Sequence, residues 1–290
     1  MATTTMLPPS PAQASVPTAG KLPAYYRIGR WISDHVLAVY ALLGLTYLFA
    51  PIAIVILFSF NKPSGRSNVT WEQFSLDAWQ NICRDPTICT SLQVSIKIAV
   101  LATVVATVMG TLIAFALVRH RFRGRETTNL TIFLPMATPE VVLGASLLAL
   151  FVNMKFPQGF LTILIAHIMF TISFVVVTVK ARLASLDPRL EQAAMDLYAN
   201  ERQAFRYVTL PLVAPGIAAA ALLAFSLSFD DFIITNLNSG AQTVTFPMYV
   251  WGAAQRGIPP QVNVIGTILF LGSLALVLIA QGVGRVRRRG

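Results

Sequence analysis

Six apolar runs, near residues 36–60, 98–118, 130–152, 160–179, 212–234 and 262–283, dictate what this chain can fold into. Each is close to the ~20 residues that a helix rising 1.5 Å per residue needs to cross ~30 Å of hydrocarbon. Inside a bilayer the backbone satisfies its polar groups only in helices or closed barrels. Runs this long and without alternation do not suit the ~10-residue strands of a barrel. The sequence therefore predicts an all-α polytopic membrane protein with six transmembrane helices.

Composition agrees. Of 290 residues 55% are hydrophobic and 12% charged, too oily for a soluble domain. The net charge of +10 does not form the basic face of a nucleic-acid module, because the Lys and Arg residues cluster between the apolar runs. Two cysteines exclude a disulfide-dense secreted scaffold, and no Cys/His spacing suggests a metal site. Residues 1–30, rich in Thr, Pro, Ala and Ser at their start, read as a disordered cytoplasmic tail, and residues 31–290 as the membrane domain. Ala12 to Ala14 resemble a signal-peptidase site, but no apolar segment precedes them.

Basic residues in short loops stay on the cytoplasmic side. Sixteen of the 22 Lys and Arg lie before run one, between runs two and three, between four and five, and after six; six lie in the other set. Both termini are thereby predicted to be cytoplasmic.

The loop between runs four and five, about 30 residues, is long enough to contain structure. Asp187 before Pro188 suits a helix start. Leu190, Ala193, Ala194 and Leu197 then form an apolar stripe, leaving Arg189, Glu191 and Asp196 to face elsewhere. Asn200 and Gln203 have the spacing of a reciprocal cap for a second short helix, with Phe205 and Val208 on its apolar side. Two short helices at the cytoplasmic face are expected.

These residues carry a resemblance. The stretch from Glu191 to Asn200, continuing through Phe205 and Pro211 to Pro215, Gly216 and Ile217, resembles the EAA loop of permease subunits of binding-protein-dependent ABC importers. Residues 134–144, Ala166 and His167, residues 226–235 and residues 238–240 are similar to the spermidine/putrescine branch, above all to its C-type permease. The resemblance implies a coupling loop at 186–215, with Glu191, Gln192, Ala193, Ala194, Asp196, Leu197 and Tyr198 meeting an ATPase. It further implies a second permease subunit as heterodimer partner, two copies of a P-loop ATPase, an extracytoplasmic polyamine-binding protein and a place in the bacterial inner membrane. Gln192 stands where the pattern has Glu, and Tyr198 where it has Gly. If that glycine serves a left-handed turn, tyrosine there costs about 1–2 kcal/mol.

No phosphate-binding loop, HExxH or GxSxG motif occurs, so the reading is a transport subunit rather than an enzyme. No cofactor is expected on this chain, and ATP and Mg belong to the partner ATPase. His167 reads either as a proton relay or as a neutral hydrogen-bonding group between helices. Glu140, in run three, reads as part of a substrate path or as a protonated interhelical group. Asp230 and Asp231 read as path acids or solvated interfacial acids; Tyr249 and Trp251 read as faces for a cation or as an interfacial belt. These acids bias the interior toward cations such as polyamines. The same permease for another solute, or a membrane scaffold docking a non-ATPase partner, are the competing readings. Cys83 and Cys89, in the external loop after run one, could form a disulfide or remain two thiols.

Overall fold

The computed structural model describes residues 24–287, with side chains described from His35 to Ala275 and at Leu278. The chain forms two compact units that divide between Ile54 and Val55. The first contains most of α1 (Ala24–Phe58), an apolar helix with Pro51 inside it. Residues 24–30, expected as tail, are therefore helical; the rest of that expectation, residues 1–23, lies outside the described residues.

The second unit opens with a loop built around Asn61. This side chain donates to Asn68 Oδ1 and to the Thr70 carbonyl, both at 2.7 Å, and accepts from the amides of Glu72 and Gln73. A buried amide with its donors and acceptor engaged fixes a loop that hydropathy alone leaves shapeless. A short helix, α2 (Asp77–Gln80), follows. Next is α3 (Pro86–Arg119), whose start is set by Asp85: its carboxylate accepts from the Thr87 amide at 2.9 Å, with Pro86 in the first turn.

After α3 come α4 (Arg125–Ala137), α5 (Glu140–Asn153), α6 (Phe160–Ala184), α7 (Arg189–Asp196) and α8 (Glu201–Ala204). A π-helical turn, Phe205–Thr209, joins α8 to α9 (Leu210–Asp230). The described chain closes with α10 (Ile233–Asn238), α11 (Phe246–Arg256) and α12 (Pro260–Arg287).

Helices α3, α6 and α9 pack together as the core. Small residues make this possible, since in lipid close backbone approach and van der Waals packing take over from the hydrophobic effect. On α3, Ala99, Ala102, Ala106, Gly110 and Ala114 recur at helical spacing and are buried; Ala220 and Ala224 do the same on α9. Gly216 is held to glycine by a neighbour, because an added Cβ would lie 2.5 Å from Arg182 Cγ. The same Arg182 donates from Nε and Nη2 to the Leu212 carbonyl, at 3.1 and 2.9 Å, within the stretch interrupted by Pro211 and Pro215.

Two expected spans are broken. Run three is not one helix: α4 and α5 meet at a bend of 107°. Thr138, preceding Pro139, is extended at φ −83°, ψ 131°, because proline disfavours helical geometry in the residue before it. Glu140 thus begins α5 instead of sitting inside a continuous helix. Run five ends at Asp230, where Asp231 turns extended and α10 starts anew.

Among the described residues, the helical stretches His35–Phe58, Pro86–Arg119, Phe160–Ala184 and Glu201–Asp230 are long and apolar enough to cross a bilayer. The bent α4–α5 pair makes a fifth if it counts as one span, and the apolar part of α12 within the described residues, Pro260–Ala275, is shorter.

Candidate functional site

The break after α9 creates the site. Asp231 turns its carboxylate back over α10, accepting from the Ile234 amide at 3.3 Å and from the Thr235 amide and hydroxyl, each at 2.8 Å. His167 on α6 completes this cluster: Nε2 lies 3.3 Å from Asp231 Oδ2 and 2.9 Å from Thr235 Oγ1, and Nδ1 lies 2.7 Å from Ser228 Oγ. Both side chains are 2–3% exposed. His167 therefore joins three helices by hydrogen bonds. Asp231 is not the solvated interfacial acid considered from sequence; it is a buried cap that holds the chain at its bend.

Asp230 and Glu140, by contrast, are exposed within the chain. With Asp231 they line one cavity of about 720 Å³, closed on another side by Phe232, Val250 and Trp251. Among the described residues, no lysine or arginine lines it. The Phe232 and Trp251 rings stack with centroids 5.1 Å apart, tilted by 32°. The three acids singled out in the sequence thus come to one place, from the start of α5 and the end of α9. Phe232 was not foreseen: it lies beside two aspartates but belongs to no periodic pattern.

Phe232 and Trp251 also belong to the lining of a second cavity, of about 870 Å³, next to Asp85 and Tyr249. The Tyr249 hydroxyl donates to Asp85 Oδ2 at 3.0 Å. Burial, reinforced by the bond to Asp85 and by its negative charge, pushes the Tyr249 phenol up to about 12. Burial alone would raise the Asp85 carboxyl, but the hydrogen bonds from Thr87 and Tyr249 outweigh it and leave it below its ordinary value. An Asp-Pro pair announces the start of α3 just as it announces α7, yet only the latter was read from sequence. Cys83 and Cys89, shortly before and inside the start of α3, have their sulfurs in bonding contact and Cα atoms 5.5 Å apart.

At the other end of α3 lies the short-helix region. Asp187 Oδ1 accepts from the Arg189 amide at 2.9 Å, with Pro188 preceding the first helical residue. Asn200 and Gln203 form their reciprocal cap, both bonds 2.9 Å. Leu190, Gln192, Ala193, Asp196 and Leu197 are exposed, with Ala194 half-buried, so the apolar stripe of α7 is largely uncovered by its own chain. Tyr198 is 99% exposed and adopts φ +63°, the left-handed conformation that suits glycine. The second helix is shorter than its apolar pattern suggests, because Phe205 and Val208 belong to the π-helical turn. Glu191 does not face away from the protein: its Oε1 accepts from Arg119 Nη2 at 2.6 Å and from the Thr209 hydroxyl.

Comparison with known proteins places this chain in a family. Residues 106–288 match the family described as binding-protein-dependent transport system inner membrane component. The chain is 36% identical over 239 residues to the spermidine/putrescine transport system permease protein PotC of Haemophilus influenzae, covering 82% of this chain and 92% of that protein. It is 37% identical over 243 residues to the putrescine transport system permease protein PotI of Escherichia coli, covering 81% and 85%. In fold it is similar to a chain of a bacterial ABC transporter that imports alginate, with a TM-score of 0.60, 18% identity, and coverage of 90% of this chain and 97% of that one. A related structure, an alginate transporter in complex with its pentasaccharide-bound periplasmic protein, gives a TM-score of 0.65 at 16% identity and the same coverage. The chain belongs to the binding-protein-dependent transport system inner membrane component family.

Proposed function

We propose that this chain is a permease subunit of an ATP-driven importer and forms half of a translocation path for polyamines. The observation that carries the reading is the cavity at the α9–α10 break: Glu140, Asp230 and Asp231 around one space, an aromatic pair beside them, and no basic side chain among the described residues of the lining. Separated ammonium groups need successive carboxylates or aromatic faces to replace lost water. Phosphate or sulfate would call for Arg, Lys or helix N-termini instead. The names of the relatives point the same way. Asp230 and Glu140 are the acids that meet the solute, while Asp231 holds them in place through α10.

The rest of the machine follows from the same reading. α12 is the sixth span, both termini are cytoplasmic, and the uncovered face of α7 is where an ATPase docks. A second permease, a pair of P-loop ATPase subunits that hydrolyse MgATP and an extracytoplasmic binding protein complete the assembly.

The test is uptake of radiolabelled spermidine and putrescine by cells carrying the complete transporter, with expression checked by blot. Asp230→Asn and Glu140→Gln should each lower uptake about tenfold, the equivalent of ~1.4 kcal/mol, while the subunits still assemble. Parental uptake in both variants rejects the acidic path.

A further inference from the structure

The uncovered face of α7 explains how a partner could grip this helix, but it leaves open how a push on α7 reaches the membrane core. The chain itself runs from α7 back to α6 and forward, through α8 and the π-helical turn, to α9. α3, the third member of the core, has no short covalent route to α7: Arg119 and Glu191 are 72 residues apart.

A single carboxylate oxygen closes that gap. Glu191 Oε1 accepts from Arg119 Nη2 at 2.6 Å and from the Thr209 hydroxyl. Arg119 is the last residue of α3, where a cation also complements the helix C-terminus. Thr209 is 2% exposed and ends the π-helical turn, the irregular element that feeds α9. The Arg119 and Glu191 side chains are 28% and 26% exposed, so the pair is partly shielded from water. Beside it, Phe115 of α3 packs edge-on against Phe205 of the same π-helical turn, centroids 5.3 Å apart. Among the described residues, no other Arg–carboxylate pair joins two of the long or coupling-region helices; the remaining one, Arg84–Asp77, lies within the loop around α2.

We propose that Glu191 is a positioning residue that latches α7 to the end of α3 and to the entry of α9, so that displacement of α7 moves all three core helices together. The proposal rests on the reading of α7 as the ATPase-facing helix and deepens it. It separates Glu191 from Leu190, Ala193 and Leu197: those side chains are free to meet a partner, whereas Glu191 works within its own chain.

The decisive experiment is a charge exchange, made in the full chain purified with the subunits it carries and reconstituted in nanodiscs. Glu191→Arg and Arg119→Glu singly, and both together, are compared in hydrogen exchange of residues 189–196 and in solute-stimulated ATP hydrolysis. Each single variant should raise exchange about tenfold and depress stimulated hydrolysis by a similar factor, and the double exchange should recover most of both. Thr209→Val, a near-isosteric change, should show the same signs more weakly. A double exchange no better protected than the worse single variant overturns the latch, as does parental protection in all single variants. Protection that responds as expected while stimulated hydrolysis stays parental in every variant supports the latch but rejects the reading of α7 as the ATPase-facing helix on which its function depends.

Discussion

Asp231 and His167 meet 3.3 Å apart at the bend between α9 and α10, both all but removed from solvent. One link of this cluster spans from α6 to the residue that follows α9, and Thr235 lies within hydrogen-bond distance of both partners. Asp231 is thereby bound more tightly into the protein than its neighbour Asp230, although the two are indistinguishable in the sequence.

This division of labour is measurable. Asp231→Ala strips the amides and hydroxyl of α10 of their acceptor, and a buried donor left unpaired costs about 1–3 kcal/mol. The variant should melt at lower temperature in detergent, and His167→Ala should do the same. Asp230→Ala, exposed to the cavity, should leave the melting temperature unchanged while impairing uptake. Equal loss of stability at 230 and 231 would contradict the assignment.

Tyr198 occupies a left-handed turn at φ +63° with its ring in the open. Glycine adopts this conformation without the clash of a Cβ, a relief of about 1 kcal/mol. Tyr198→Gly should therefore slow local opening of α7, seen as slower exchange of the Leu197 and Ala199 amides, which donate to the Ala193 and Ala194 carbonyls. Tyr198→Val, branched at Cβ, should speed it. Faster exchange in the glycine variant would show that the ring makes a stabilising contact in the assembled protein.

Local chemistry explains which features could be read from the sequence. The cap between Asn200 and Gln203 needs only neighbours three residues apart, and apolar length alone suffices to mark a membrane helix. The orientation of Glu191 depends on Arg119, and the burial of Asp231 on His167; neither partner is near in the chain. The break at Thr138 had a local signal in Pro135 and Pro139, but hydropathy averages over geometry and counted one run. The three acids converge because α5 starts at that break and α9 stops at the other, a coincidence of two interruptions that no periodicity records.

Sidedness can be read with the chain's own cysteines as a control. If Cys83 and Cys89 are bonded, the parental protein in intact cells should resist a membrane-impermeant maleimide until it is reduced, and mass spectrometry of non-reduced peptides should find them joined. In a background with both replaced by serine, Ser64→Cys should be labelled from outside and Arg123→Cys only after permeabilisation. Reversed access would overturn the six-span orientation, and freely alkylated native thiols would reject the disulfide.

The bond between Tyr249 and Asp85 makes a prediction about pH whose sign follows from both partners. The phenol is raised from its ordinary 10.0 to about 12, so its contribution to the folded state is complete below pH 10 and fades as pH climbs toward 12. The carboxylate is held below its ordinary 3.8, so its contribution is complete above that value and is lost as pH falls through the folded value. Between about pH 5 and 9 neither group changes charge, and the bond should hold steady. Tyr249→Phe should thus lower stability by a constant amount, about 0.5–1.5 kcal/mol for one exposed-edge hydrogen bond, when melting is followed across that range. Its difference from the parental protein should shrink in strong base, where ionising Tyr249 breaks the parental bond, and in acid, where protonating Asp85 weakens it. A difference that varies between pH 5 and 9 would mean that another titrating group controls the contact.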